Sequence, residues 1–356
     1  MDALTSRVVS FLRFPLIVAV IFIHCNLLVK HPELETMPVF YFLVYITMKL
    51  VCIAVPLFFF ISGLLFFKEG IFDLALYRKK LKSRFHTVLI PYILWNIIFF
   101  VIIGILQLIK PDTLFLLHKY IADFRWQDYL WIFWDISQIT GLADDQRACL
   151  VGAFWFLQCL FVLFLVSPII YYLVKYLRHF TLVIIGFLYF TDYIPEMPGV
   201  QCNAIVYYML GAYCSIMRID FIKLFKRILV QAHIVLMIGA ILVSYWLNEN
   251  DTVYNITDLF VQAAVFAITA YMIENHQWKE NRYLVSSVFF VFAVHRLFSA
   301  ALMTISSYLV PSIGNELILY LYYILMVLLT VLASLAIYQL SKSYLPRTAN
   351  VLNGGR

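Results

Sequence analysis

Two residues of the first apolar stretch, Arg13 and His24, combine type and spacing in a way that suits chemistry. They stand eleven positions apart, which is three turns of an α-helix. Both side chains therefore fall on one face, with His24 ~16 Å further along the axis. A guanidinium at one membrane surface and an imidazole deeper on the same stripe suit an anionic ligand that reaches inward with its reactive end. Imidazole is neutral near pH 7 and is then a suitable general base. Ionisable groups inside apolar spans are costly, which makes them functional candidates. The bland alternatives are snorkelling of Arg13 to the headgroups and a helix–helix hydrogen bond for His24.

A second cluster is the basic run Arg78-Lys79-Lys80-Leu81-Lys82-Ser83-Arg84, shortly before Pro91-Tyr92. It reads either as a topogenic and lipid-binding signal or as a phosphate site, in which arginine is bidentate and lysine a point charge. His295 and Arg296 lie about eleven residues inside another apolar run. Neighbours in sequence do not share a helix face, so one is expected in the core and the other on a different partner. Lys49 is expected to snorkel towards headgroups. Ser62-Gly63 suits close helix packing, and without a G-x-S-x-G elbow it is weak support for a serine hydrolase. No HExxH, P-loop or Rossmann fingerprint is present, so no metal, ATP or dinucleotide site is expected.

These residues need elements to hold them. The 356 residues are 64% hydrophobic and 13% charged, against about 25% charged in ordinary globular chains. That excludes a soluble globular enzyme, a disordered chain and a soluble DNA binder. The apolar runs are continuous rather than alternating, which excludes a β-barrel. Ten of them approach the length of a membrane helix, near 8–29, 41–67, 88–108, 150–174, 180–193, 204–216, 228–247, 256–273, 285–309 and 317–340. The fold class is all-α: a polytopic helical membrane protein of about ten transmembrane helices. With the N-terminus inside, 19 of the 26 basic residues fall inside and 14 of the 20 acids outside. The positive-inside rule therefore gives N-in and C-in. The net charge of +6 is topogenic and calls for no nucleic acid. One transmembrane domain over 1–345 with a short cytoplasmic tail over 346–356 is expected. The first span is too long for a cleavable signal peptide. Cys149 and Cys202 approach the outer face, where a disulfide is conceivable. The long outer segment, 109–148, carries Trp126, Trp131 and Trp134 and reads as an interfacial helix or an aromatic platform for a sugar. No internal repeat of the kind common in secondary transporters is evident.

Together these segments resemble the integral-membrane acyltransferase-3 family over most of the chain. Arg13 and His24 match its Arg-x10-His. Val55–Gly63 is similar to its second-span signature, and the basic loop to Arg84 followed by Ile90-Pro91-Tyr92 to its third. Trp155-Phe156-Leu157, Gly211 and the helix with His295 are similar to later landmarks. Where some members carry a glutamate in the fourth span, this chain reads Gln158-Cys159-Leu160-Phe161. The resemblance implies transfer of an acyl group, usually acetyl, from cytosolic acyl-CoA to a hydroxyl of an extracytoplasmic glycan or other cell-envelope acceptor. Acetyl-CoA would be a co-substrate, with no permanently bound cofactor. Partners would be acyl-CoA, a glycan or lipid-linked saccharide, and membrane lipids. The location would be the inner (cytoplasmic) membrane. Arg13, Lys80 and Arg84 would hold the donor phosphates. His24 would be the base, or a covalent acyl carrier. His295 would orient the acceptor or stabilise the oxyanion, and Ser62, Tyr92 and Trp155 would contact substrate. The alternative is a transporter or flippase of a glycan or anionic small molecule without transfer chemistry.

Overall fold

In hydrocarbon every backbone N–H and C=O must be satisfied within the chain, so each apolar run folds as a helix. The structure, a computed structural model, describes residues 2–110, 117, 119–141, 148–195, 197–247 and 250–355. Asp112, Asp144, Asp145, Arg147, Glu196, Glu249 and Arg356, which entered the charge split, lie outside the described residues. In chain order the helices are α1 (Ala3–His24), α2 (Pro38–Val51), α3 (Ala54–Phe66), α4 (Leu74–Arg84), α5 (Ile90–Ile109), α6 (Asp128–Trp131), α7 (Ser137–Thr140), α8 (Trp155–Leu177), α9 (Phe180–Thr191), α10 (Cys202–Ile216), α11 (Phe221–Phe225), α12 (Val230–Trp246), α13 (Asp251–Asn275), α14 (Arg282–Leu309), α15 (Glu316–Tyr344) and α16 (Pro346–Leu352). Among the described residues there is no strand, only an isolated bridge between Met197 and Val200. Seven segments are long and apolar enough to cross a membrane, and α9, α10 and α12 are shorter apolar helices. The chain is a multi-pass helical membrane protein.

The helices form two compact units, residues 1–70 with 210–340 and residues 71–209 with 341–356. In the first unit, α1 packs on α2, α3, α13 and α14. Its buried residues Val8, Val9, Leu12, Leu16, Val20 and Ile21 recur at three- and four-residue spacing, the signature of one helical stripe. The Asp2 carboxylate accepts from Thr5 N at 2.6 Å and caps the first turn. At the other end, the Tyr323 hydroxyl of α15 donates to Phe22 O at 2.8 Å. That bond anchors the last turn of α1, where His24 stands. Gly211 of α10 meets α3 so closely that a Cβ there would lie 2.0 Å from Phe60 O and 2.7 Å from Leu64 N. The close approach expected of Ser62-Gly63 is therefore made against α3 by a glycine of another helix.

Lys49 does not snorkel. It is 3% exposed, and its Nζ sits 2.9 Å from the centre of the Tyr254 ring and 5.6 Å from that of Tyr45. Asp258, counted with the outside acids, is a buried residue of α13. The charge rule reads depth along a helix and is blind to which way a side chain faces.

In the second unit, α4 and α5 are joined by a π-helical turn, Phe85–Leu89. Such turns cluster at functional sites. Pro346–Leu352 is helical and docked: Trp95 Nε1 donates to Leu352 O at 3.1 Å. Gly354 beyond it has φ +69° and would place a Cβ 2.4 Å from Thr87 O, so only glycine fits. Among its described residues the segment after α5 is not one interfacial helix. Those residues are mostly irregular and follow α5 back along one buried face. Gln107 donates to Lys119 O at 3.1 Å and accepts from Ile121 N at 3.0 Å. Phe100 meets Phe124 and Tyr129, the Tyr92 hydroxyl donates to Phe133 O, and Asn96 Oδ1 accepts from Val151 N at 3.2 Å. From Gln107 to Tyr92 is about 22 Å of helix. The described residues thus form a re-entrant segment in the sense that they turn back alongside α5, with backbone groups bonded by polar side chains of that helix. Cys149 and Cys202 are free thiols. Their sulfurs lie against the carbonyls of Val151 and Leu188, and no disulfide joins them.

Candidate active site

The first unit brings together His24, His295 and Arg296. His24 is the final residue of α1, and His295 and Arg296 lie midway along α14. The two imidazole centroids are 5.1 Å apart. Arg296 Nη1 donates to His24 Nδ1 at 3.2 Å. The adjacent pair on α14 was expected to serve different partners, yet both meet His24: His295 directly, and Arg296 because its long side chain reaches around the helix.

Hydrogen bonding fixes the tautomers. A guanidinium has donors only, so His24 Nδ1 must be the acceptor and the ring proton sits on Nε2. His295 Nδ1 donates to Phe292 O at 2.6 Å, which leaves its lone pair on Nε2. That nitrogen is buried and has no hydrogen-bond partner among the described residues. Buried polar atoms without partners are uncommon and call for an explanation. The cluster therefore presents one N–H, on His24, and one vacant basic nitrogen, on His295. His24 is half-buried and His295 fully buried.

The remaining predicted site residues are distributed as follows. Arg13 is half-buried on α1, and Ser62 is half-buried on α3, both in the first unit. Lys80, Arg84, Tyr92 and Trp155 belong to the second. Arg84 does not project freely into water: its guanidinium carbon lies 5.3 Å from the centre of the Phe164 ring, midway along apolar α8. Lys80 is half-buried on α4, one turn before Arg84. The Tyr92 hydroxyl serves Phe133 O. Trp155 begins α8. The first unit also holds a polar cavity of about 460 Å³ beside the start of α1, with Lys68, Arg218 and the capping carboxylates Asp2 and Asp220 on its wall.

A family model for an acyltransferase domain, of the acyltransferase-3 type, matches residues 9–339. The chain belongs to the acyltransferase-3 family. No curated protein and no solved structure matches it. Arg13 and His24 lie on α1, and the Val55–Gly63 stretch lies within α3. Ile90-Pro91-Tyr92 opens α5, with proline in the first turn where its missing N–H costs nothing. As a member of this family the protein is a membrane acyltransferase. The sequence alone assigns Arg296 no role and counts Asp258 among the outside acids. A cation within an apolar span was signal enough to flag Arg296. Nothing in one segment says which other helix its guanidinium will reach.

Proposed function

We propose that this acyltransferase is an O-acetyltransferase that moves an acetyl group from cytosolic acetyl-CoA to a hydroxyl of an extracytoplasmic glycan or lipid-linked saccharide, in the inner (cytoplasmic) membrane with N-in and C-in orientation. The observation that carries the proposal is the Arg296–His24–His295 cluster on helices α1 and α14. Its tautomers favour an exchange of the roles expected from sequence. His295 Nε2, the vacant lone pair, takes the proton of the acceptor hydroxyl. The oxygen attacks the thioester carbon. The developing oxyanion meets His24 Nε2–H, made a stronger donor by the cation on its opposite nitrogen. The carbon–sulfur bond then breaks, and the proton on His295 passes to the departing sulfur, giving free CoA and the new ester. General-base catalysis of this kind contributes about 10²–10⁴-fold.

Arg13, Lys80 and Arg84 are the proposed contacts of the donor phosphates. Arg84 supports that role because a cation held at the depth of an apolar helix is expensive unless something anionic meets it. Inverted membrane vesicles containing the protein, supplied with acetyl-labelled acetyl-CoA, should accumulate label in alkali-labile esters on glycan. Vesicles that move glycan across the bilayer without incorporating label would overturn the proposal in favour of a transporter.

A further inference from the structure

The second unit contains a cavity of about 290 Å³ between the start of α5, the re-entrant segment and the first turns of α8. That is near the lower end of the range in which proteins bind small molecules. Val88, Ile93, Phe133, Leu157 and Phe161 make most of its wall hydrocarbon. Gln158 is the exception. It is 3% exposed, and its Nε2 donates to Trp134 O at 2.8 Å, with Phe133 O at 3.5 Å. Those two carbonyls fix the amide orientation, since only the nitrogen can face them. Oε1 then faces away from them, and it is buried with no hydrogen-bond partner among the described residues. An unmet acceptor in an apolar cavity costs desolvation with no return.

We propose that this cavity binds an aliphatic chain bearing one hydrogen-bond donor, a hydroxyl or amide N–H, that meets Gln158 Oε1. A glutamine suits this task where a carboxylate would not: its oxygen accepts one bond while remaining neutral among hydrocarbon. The chain could belong to a membrane lipid, including one that carries a saccharide, or to a long acyl donor. The inference rests on the cavity alone and does not depend on the acetyl-transfer reading.

The test uses the purified full-length protein and a long-chain primary alcohol with a diazirine in its chain. After irradiation, label is expected on peptides covering 88–93 and 157–161. Unlabelled alcohol should displace it about three- to tenfold more effectively than an alkane of equal length, the value of one neutral hydrogen bond. Gln158→Leu should erase that preference. Val88→Trp, which fills the opposite wall and leaves Gln158 untouched, should abolish labelling. Displacement by diacylglycerol, whose free hydroxyl supplies the hydrogen-bond donor, points to a lipid chain, and displacement by long-chain acyl-CoA, whose pantetheine arm carries amide N–H groups, to the acyl donor; either supports the site. Label elsewhere, or equal displacement by alcohol and alkane in the unaltered protein, overturns it. The latter comparison needs no variant to fold.

Discussion

The two units treat buried polar side chains differently. In the first, Arg296 bonds His24 across α14 and α1 while His295 lies against the His24 ring, and the His295 Nε2 is left with no hydrogen-bond partner among the described residues. In the second, Tyr92, Asn96, Gln107 and Gln158 are turned onto backbone groups of the re-entrant segment. In the proposed function the first pattern organises a reactive atom; the second bonds irregular chain that runs alongside α5. What separates them is the atom left over. His295 Nε2 is a base beside a cation-held N–H. Gln158 Oε1 is a neutral acceptor in hydrocarbon. A polar residue inside a span is therefore no sufficient mark of catalysis, and the leftover atom is the better guide.

The contrast breaks first, if it breaks, at His24. As an oxyanion donor its loss in His24→Ala should lower turnover by about 10²–10³-fold. His24→Gln should recover part of that, because the amide keeps an N–H. Equal losses in both variants would mean that the ring's proton affinity, rather than its N–H, is what matters. Arg296→Leu tests the tautomer. Losing a charged hydrogen bond costs about 1.5–3 kcal/mol, roughly ten- to hundredfold in turnover. Acetyl-CoA affinity should stay unchanged, and Arg296→Lys should restore part of the rate. A parallel fall in donor affinity would make Arg296 a donor contact.

Arg84→Ala and Arg13→Ala sharpen the comparison from the other side. Each should weaken acetyl-CoA binding about tenfold or more through one lost charged contact, and binding by the unaltered protein should weaken with salt. Calorimetric titration that finds affinity unchanged in both would remove them from the donor site. The smallest effect is at Asp128, on the re-entrant segment outside the spans. Its bond from Lys119 Nζ at 2.6 Å holds the carboxyl below the usual carboxylate range. A depressed acid stabilises the fold above its unfolded value and ceases to as pH falls through the folded one, so the loss is expected below about pH 4. Lys119→Met should shrink the drop in thermal midpoint on acidification by at most the equivalent of about 1 kcal/mol. An unchanged drop would show that the pair does not help to hold the segment.

Much of this was legible beforehand. Hydropathy located the helices because the bilayer leaves an apolar run one option. The Arg13–His24 face follows from helix arithmetic alone. The rest depends on contacts between segments. Arg296 reaches His24 from α14, 272 positions away, a pairing that periodicity in one helix does not encode. The re-entrant segment has the aromatic and acidic composition of an interfacial helix, and only the amides of Gln107 and Asn96 in α5 hinted that backbone would be brought to them. Lys49 illustrates the same gap: hydropathy places it within an apolar run, and nothing in that run gives the inward direction of its side chain.

The central claim is that the buried lone pair of His295 takes the acceptor's proton. It is tested most directly by release of free CoA from acetyl-CoA by the purified protein with a hydroxyl acceptor, in parallel with donor binding. His295→Gln keeps a polar side chain of similar size but cannot accept the proton. The account predicts unchanged acetyl-CoA affinity with CoA release lowered by about 10²-fold or more. Release near the unaltered rate in a variant that binds donor normally would contradict it.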